Sequence, residues 1–216
     1  APDFESALNA LIQDTIKSHK RIIFNGNGYD DSWIEEAQKR GLLNLKTTPD
    51  ALPYFVKEEN VKLFEKQHVY SKEEIESRYE VLIEEYVKII NIEALTMLDM
   101  AKKEILPAVT SYSKSLADTI LSKKAVCESM DTTYETAVLK QTSELLKEAY
   151  EAVNALSESI DQMNTLSDFE KKANFVRDDL LSKMAALRKP CDELEVIVDE
   201  KDWPFPTYGK LLFGVM

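Results

Sequence analysis

Apolar residues recur at helical spacing along most of the chain, and the densest run of them covers residues 79–106, YEVLIEEYVKIINIEALTMLDMAKKEIL. One set in this run is separated by steps of three and four: Tyr79, Leu82, Tyr86, Ile90, Ala94, Met97, Ala101 and Ile105. A second set lies on another side of the same helix: Ile83, Val87, Leu95 and Leu98. Because a surface helix has a single apolar stripe, this pattern predicts a buried central helix with packing partners on at least two faces.

Two further apolar stripes follow a predicted turn near residues 129–132. The second stripe is formed by Tyr134, Val138, Leu145, Ala149, Ala152, Leu156, Ile160 and Met163. The third is formed by Phe169, Ala173, Val176, Leu180, Met184, Leu187, Cys191, Leu194 and Val198. Pro107 is expected to kink the first helix rather than end it, since a proline removes one backbone donor. Three long stripes with short links predict an all-α fold, a long antiparallel three-helix bundle.

Short sequence signals mark the expected starts of the helices. The Ser-x-x-Glu pattern of a capping box lies at the expected starts of three helices: Ser32 with Glu35, Ser71 with Glu74 and Ser167 with Glu170. Asp3 is a plausible N-cap for a first helix over residues 3–19. Thr48 is expected to cap a short helix with Pro49 in its first turn, and another short helix is expected over residues 60–67.

The chain is predicted to have two parts, residues 1–70 and residues 71–216. The first part consists of short helices and irregular links, with at most one short strand at the apolar run RIIF, residues 21–24. The second part is the bundle and a tail with two prolines and several aromatic residues, which is too apolar to stay in water. We expect the tail to pack back on residues 1–70 and on the second face of the central helix, through Trp203, Phe205, Tyr208, Leu211, Leu212 and Phe213.

Charge limits the possible partners. The net charge is −12 and the pI is about 4.8, which argues against binding nucleic acid or an anionic membrane surface. Glu84, Glu85 and Lys88 interrupt the central helix too often for a membrane span. The two cysteines, Cys127 and Cys191, are not in a CxxC motif and are expected to be reduced thiols of a cytoplasmic protein. No targeting peptide is visible, and the first residues APDFES contain no Met, so we expect the natural protein to be longer.

No pattern of catalytic or ligand-binding residues emerges. The loop NGNGY, residues 25–29, precedes a predicted helix and could bind a phosphate, but the third glycine of GxGxxG and a GK[ST] motif are missing, so a tight turn is the simpler interpretation. His19 and His68 are the only histidines, and neither lies in a metal-binding motif. Met97, Met100, Met163 and Met184 are interpreted as core fillers. We therefore predict no catalytic, cofactor-binding or metal-binding residue in this chain.

Several long stretches resemble one known family, the type III glutamine synthetases, in their C-terminal region. They are HKRIIFNGNGY (residues 19–29), EEAQKRGLLNLKTTPDALPYFV (35–56), SRYE (77–80), INIEALTMLDMAKKEILPAV (90–109) and DELEVIVDEKDWPFPTYGKLLF (192–213). The resemblance extends over nearly the whole chain and is weakest over residues 122–189.

The resemblance implies a piece of a large cytoplasmic bacterial enzyme of nitrogen metabolism. Members of the family join ammonia to glutamate at the cost of ATP, with Mg²⁺ or Mn²⁺, and form large ring-shaped homo-oligomers. Their catalytic residues lie upstream of this region, so none is carried over and no cofactor is expected here. The implied partners are the upstream catalytic domain and other subunits, and the implied role is structural or in assembly.

Two alternatives stay open from the sequence. The chain could be a free-standing helical scaffold that binds partner helices through residues 112–120, where the first helix extends beyond its neighbours. More remotely, the NGNGY loop could bind a nucleotide phosphate in this chain.

Overall fold

The computed structural model describes residues 3–214, which form helices and turns without a β-strand. The all-α prediction is confirmed. The chain divides into two compact units, Ala1–Lys46 and Thr47–Met216.

The first unit contains two helices, α1 (Phe4–His19) and α2 (Asp31–Lys39). Asp3 caps α1 as predicted, accepting a hydrogen bond from the Glu5 backbone N–H. Instead of a strand, a 3-10 turn (Lys20–Ile22) follows α1, and extended backbone is found at Ile23. The predicted capping box at Ser32 is wrong, because the Asp30 carboxylate already accepts the Ser32 N–H and starts the helix earlier.

The second unit begins with two short helices, α3 (Thr48–Phe55) and α4 (Glu58–Lys66). The N-cap of α3 is Thr47 rather than the predicted Thr48. Both helices pack on the first long helix, so they share a compact unit with the bundle. The predicted division of the chain into residues 1–70 and residues 71–216 stays a prediction.

The first rod of the bundle runs through α5 (Lys72–Met100), a π-helical segment (Ala101–Ile105) and α6 (Leu106–Val126). The predicted capping box at its start is confirmed, with Ser71 and Glu74 each bonding the other's backbone N–H. The π segment lies just before Pro107. A proline lacks an N–H and its ring crowds the carbonyl four residues earlier, and a widened turn relieves this conflict.

The other two rods are α7 (Thr133–Thr165) and the run α8 (Phe169–Phe175), a second π segment (Val176–Leu180) and α9 (Leu181–Ile197). Helix α7 packs on both α6 and α9, and α5 packs on α8, which gives the predicted up-down-up bundle. The N-cap of α8 is Asp168, which accepts the Lys171 N–H, so the predicted box at Ser167 is wrong. All three rods contribute to one core, which includes Val87, Ala94, Leu98, Val109, Val153, Leu156, Leu180, Leu187 and Leu194.

The C-terminal tail docks only in part. Trp203 and Phe205 pack against the bundle core and meet edge to face, with ring centroids 6.3 Å apart. A last short helix, α10 (Tyr208–Phe213), follows the N-cap Thr207. The prediction is wrong for Leu211, Leu212 and Phe213 of this short helix, which are all exposed. The side chain of Tyr208 lies outside the described residues.

Candidate functional site

The described residues bring no catalytic or metal-binding cluster together. Within residues 3–214, no group of three or more His, Cys, Asp or Glu side chains is placed to hold a metal ion. His19 is exposed at the end of α1. His68 adopts a positive φ of 55° after α4, where its N–H bonds the Glu65 carbonyl and closes the helix. The absence of catalytic and cofactor residues stays a prediction.

The residues that flank the NGNGY loop are held by aromatic and backbone contacts within the first unit, and within the loop Asn27 accepts the Tyr29 N–H through its side chain and the Asp30 N–H through its carbonyl. The Phe24 ring lies 4.5 Å from the Trp33 ring, and a side chain at Gly26 would collide with Phe24. Arg40 donates to the backbone carbonyls of Arg21 and Ile23. These contacts favour a tight turn over a ligand-binding loop.

The helix that follows this loop is a poor anion site. The Asp30 carboxylate already occupies its N-terminus, 2.8 Å from the Ser32 N–H. That hydrogen bond holds the pKa of Asp30 below its usual range, so the group is negatively charged at neutral pH. Asp31 adds a second carboxylate in the first turn. A bound phosphate would meet two like charges where an anion normally finds free N–H groups.

Helix α1 has an apolar stripe that no described residue of its own unit, Ala1–Lys46, buries. Its large apolar side chains follow steps of three and four, and none of its residues is buried. The stripe consists of Phe4, Leu8, Leu11, Ile12 and Ile16, which are between 41% and 76% exposed. We call it the α1 stripe.

A second exposed apolar surface runs along the outer side of α5. It consists of Val81, Leu82, Ile89, Ile92 and Leu95, which are between 41% and 62% exposed. We call it the α5 flank. The opposite side of the helix carries Ile75, Ile83, Val87, Ala94 and Leu98, all buried. The central helix has its predicted partners on more than one face, but Leu82 and Leu95 are not covered by the unit Thr47–Met216, contrary to the expectation that they are buried there.

One long-range ion pair fixes the start of the bundle unit. Arg177, in the second π segment, donates to Asp50 of α3 at 2.7 Å and also pairs with the adjacent Asp178. The hydrogen bond to Asp178 raises the pKa of the Arg177 guanidinium. The other oxygen of Asp50 accepts from Thr47, the N-cap of α3. Arg177 therefore holds the first turn of α3 against the bundle.

The same π segment is tied to α7. The buried Ser159 hydroxyl donates to the Asp179 carboxylate at 2.6 Å. The second π segment therefore makes polar contacts with two other elements, with α3 through Arg177 and with α7 through Asp179.

A small apolar cavity of about 140 Å³ lies beside the first π segment. Met97 and Met100 line it from α5, and Leu187 and Cys191 from α9. Met163 and Met184 are buried in the core, in line with the role predicted for the methionines. Burial raises the pKa of the Cys191 thiol to about 11, so it is a protonated packing residue.

The helical rods and the two exposed apolar surfaces define a class: an all-α bundle domain with unburied apolar stripes on α1 and α5. The family model described as glutamine synthetase C-terminal domain matches residues 7–124, more than half of the chain. The chain belongs to this glutamine synthetase C-terminal domain family.

Individual relatives agree with this assignment. The chain is 38% identical over 213 residues to a glutamine synthetase of Butyrivibrio fibrisolvens, covering 99% of this chain and 30% of the relative. It is 35% identical to a type-3 glutamine synthetase of Dictyostelium discoideum, covering 97% of this chain and 29% of the relative. A glutamine synthetase of Bacteroides fragilis is 27% identical, with 29% of its length covered. The chain thus spans about 30% of the length of the curated relatives it matches.

No described helix is long and apolar enough to cross a membrane.

Proposed function

We propose that this chain is the C-terminal, non-catalytic region of a cytoplasmic type III glutamine synthetase, and that its bundle contributes to assembly of the enzyme. The parent polypeptide joins ammonia to glutamate with ATP and Mg²⁺ or Mn²⁺, using residues upstream of this chain. The relatives named glutamine synthetase are more than three times as long as the stretch that matches, which supports an upstream domain.

The α5 flank is the observation that carries the assembly role. Exposed large apolar side chains grouped on one side of a helix are uncommon on a monomer and mark contact surfaces. On the α5 flank, Ile89, Ile92 and Leu95 follow one another at steps of three, and Val81 and Leu82 lie about two turns earlier. Glu85 and Lys88 are exposed and lie between these two groups on the same side of the helix, four residues from Ile89 and Ile92, so the flank is apolar with charged side chains within it. We assign this flank to contact with another subunit of the homo-oligomer.

Substitution of the flank in the full-length polypeptide tests this role. Ile89→Glu combined with Ile92→Glu places two charges in the proposed interface, and the mass of the assembly, measured by native mass spectrometry, should fall. The matched control is Gln141→Glu combined with Asn154→Glu, which adds the same charge at exposed positions of α7. Unchanged mass and activity in the flank variant, with the control also unchanged, would reject the role.

The free-standing scaffold alternative finds little support in the geometry. Its binding surface was to be residues 112–120, where the first rod was expected to extend beyond its neighbours. Helix α7 packs along α6, Leu116 is buried and Tyr112 contacts the core. The surface needed for a partner helix is therefore occupied within the bundle.

A further inference from the structure

The α1 stripe is distinct from the surface assigned to assembly, because it lies in the other compact unit. Sixteen residues form α1, and no side chain among them is buried. An isolated helix of this length is marginally stable in water, because the free-energy cost of nucleating it is barely offset by the few turns of hydrogen bonds that follow. The sequence nevertheless places five large apolar residues on one side of it. A stripe of this kind is typical of a helix that is stabilised by a surface packed against it.

The position of α1 in the chain indicates which surface this is. Helix α1 begins at Phe4, so any preceding part of the polypeptide joins it directly. The curated relatives have about 70% of their length outside the matched stretch. A domain attached at the start of α1 is at high effective concentration and needs only a modest interface to stay docked.

We propose that α1 packs through its stripe into the domain that precedes it in the same polypeptide, so that the unit Ala1–Lys46 completes that domain structurally. The unit Thr47–Met216 then carries its own core and is the self-contained part of this chain. This inference rests on the proposed function, since it requires a preceding domain.

The test compares two double variants, each made both in the 216-residue chain and in the full-length polypeptide. Leu8→Asp with Ile12→Asp places two charges in the stripe, and Ala10→Asp with Gln13→Asp places the same charges on the other side of α1, where all residues are also exposed. In the 216-residue chain, Trp33→Phe leaves Trp203 as the fluorescent reporter of the bundle unit. In that chain both double variants should leave the urea midpoint unchanged.

In the full-length polypeptide the two variants should separate. The stripe variant should lower the Tm of the preceding domain by about 3 °C or more, and the control should not. Equal Tm values for the two variants would overturn the proposal. A lower urea midpoint for the stripe variant in the 216-residue chain would also overturn it, because α1 would then be covered within this chain.

A second copy of the chain is the other occupant that the experiment must separate. If light scattering shows the 216-residue chain to be a dimer that the stripe variant makes monomeric, α1 pairs with itself and the proposal fails. The result is independent of the assembly test, because the α5 variants report the mass of the oligomer and the α1 variants report stability within one polypeptide.

Discussion

Two isoleucines on opposite sides of α5 give a matched test of where the bundle ends and its open surface begins. Ile83 is 4% exposed and belongs to the core, whereas Ile92 is 62% exposed on the α5 flank. Replacing either by alanine removes the same atoms from the same helix. Both changes also gain the same helix propensity, about 0.4 kcal/mol.

The expected costs differ by several-fold. Removing three buried carbons at Ile83 loses about 2.4 kcal/mol of transfer free energy, and the cavity left behind adds to this, so we expect a net loss of about 2–4 kcal/mol. At Ile92 less than half of the side chain is covered, and the propensity gain offsets most of the loss. We expect a change within about 0.5 kcal/mol there.

Urea unfolding of the 216-residue chain, followed by circular dichroism at fixed pH, measures both values. The m-value should stay constant, so that shifts in midpoint report free energy rather than a changed unfolded state. Similar losses for the two variants would refute the reasoning, because they would show that the α5 flank is packed in the isolated chain.

Three further predictions follow from local geometry. Ser71→Ala should lower the free energy of unfolding by about 1 kcal/mol because it removes a capping box, whereas Ser167→Ala should have little effect because it caps no helix; urea unfolding compares them. His68→Gly should raise the unfolding free energy by about 0.5–1 kcal/mol, because His68 lies in the left-handed region where a Cβ is unfavourable, and a lower urea midpoint would contradict this. With a thiol reagent at pH 8, one thiol per folded chain should react quickly, that of the exposed Cys127, whose pKa is lowered by its hydrogen bond with Ser129. The thiol of Cys191 is buried and has a pKa of about 11, so it should react only after unfolding. The Cys127→Ser variant should abolish the fast phase, and two fast thiols in the folded chain would be the contrary result.

The three rods could be predicted from the sequence because their apolar residues keep helical spacing over long stretches. The starts of individual helices were harder to predict. At α2, α3 and α8 a second capping residue lies one or two positions away: Asp30 near Ser32, Thr47 beside Thr48, and Asp168 beside Ser167. Ser, Thr and Asp are nearly equal as N-caps, so the pattern alone does not choose between neighbours.

The surfaces and the polar ties were harder to predict, for two physical reasons. The central helix is apolar on many sides, and this pattern predicts that Leu82 and Leu95 are buried. The pattern does not show whether the surface that covers them belongs to the same compact unit. The pair between Arg177 and Asp50 joins residues 127 positions apart, and no local signal identifies it. The π segment that carries Arg177 depends on packing, which periodicity does not report.

The most direct test of the account compares hydrogen exchange of the 216-residue chain alone with the same residues in the full-length polypeptide. We predict slower exchange in the full-length protein at two places, residues 4–19 of α1 and residues 81–96 of α5, because both surfaces become covered there. The α7 helix, already packed between α6 and α9, should exchange equally in both. Identical exchange of the α1 and α5 stretches in the two proteins would contradict the claim that this domain completes a larger enzyme through its exposed apolar surfaces.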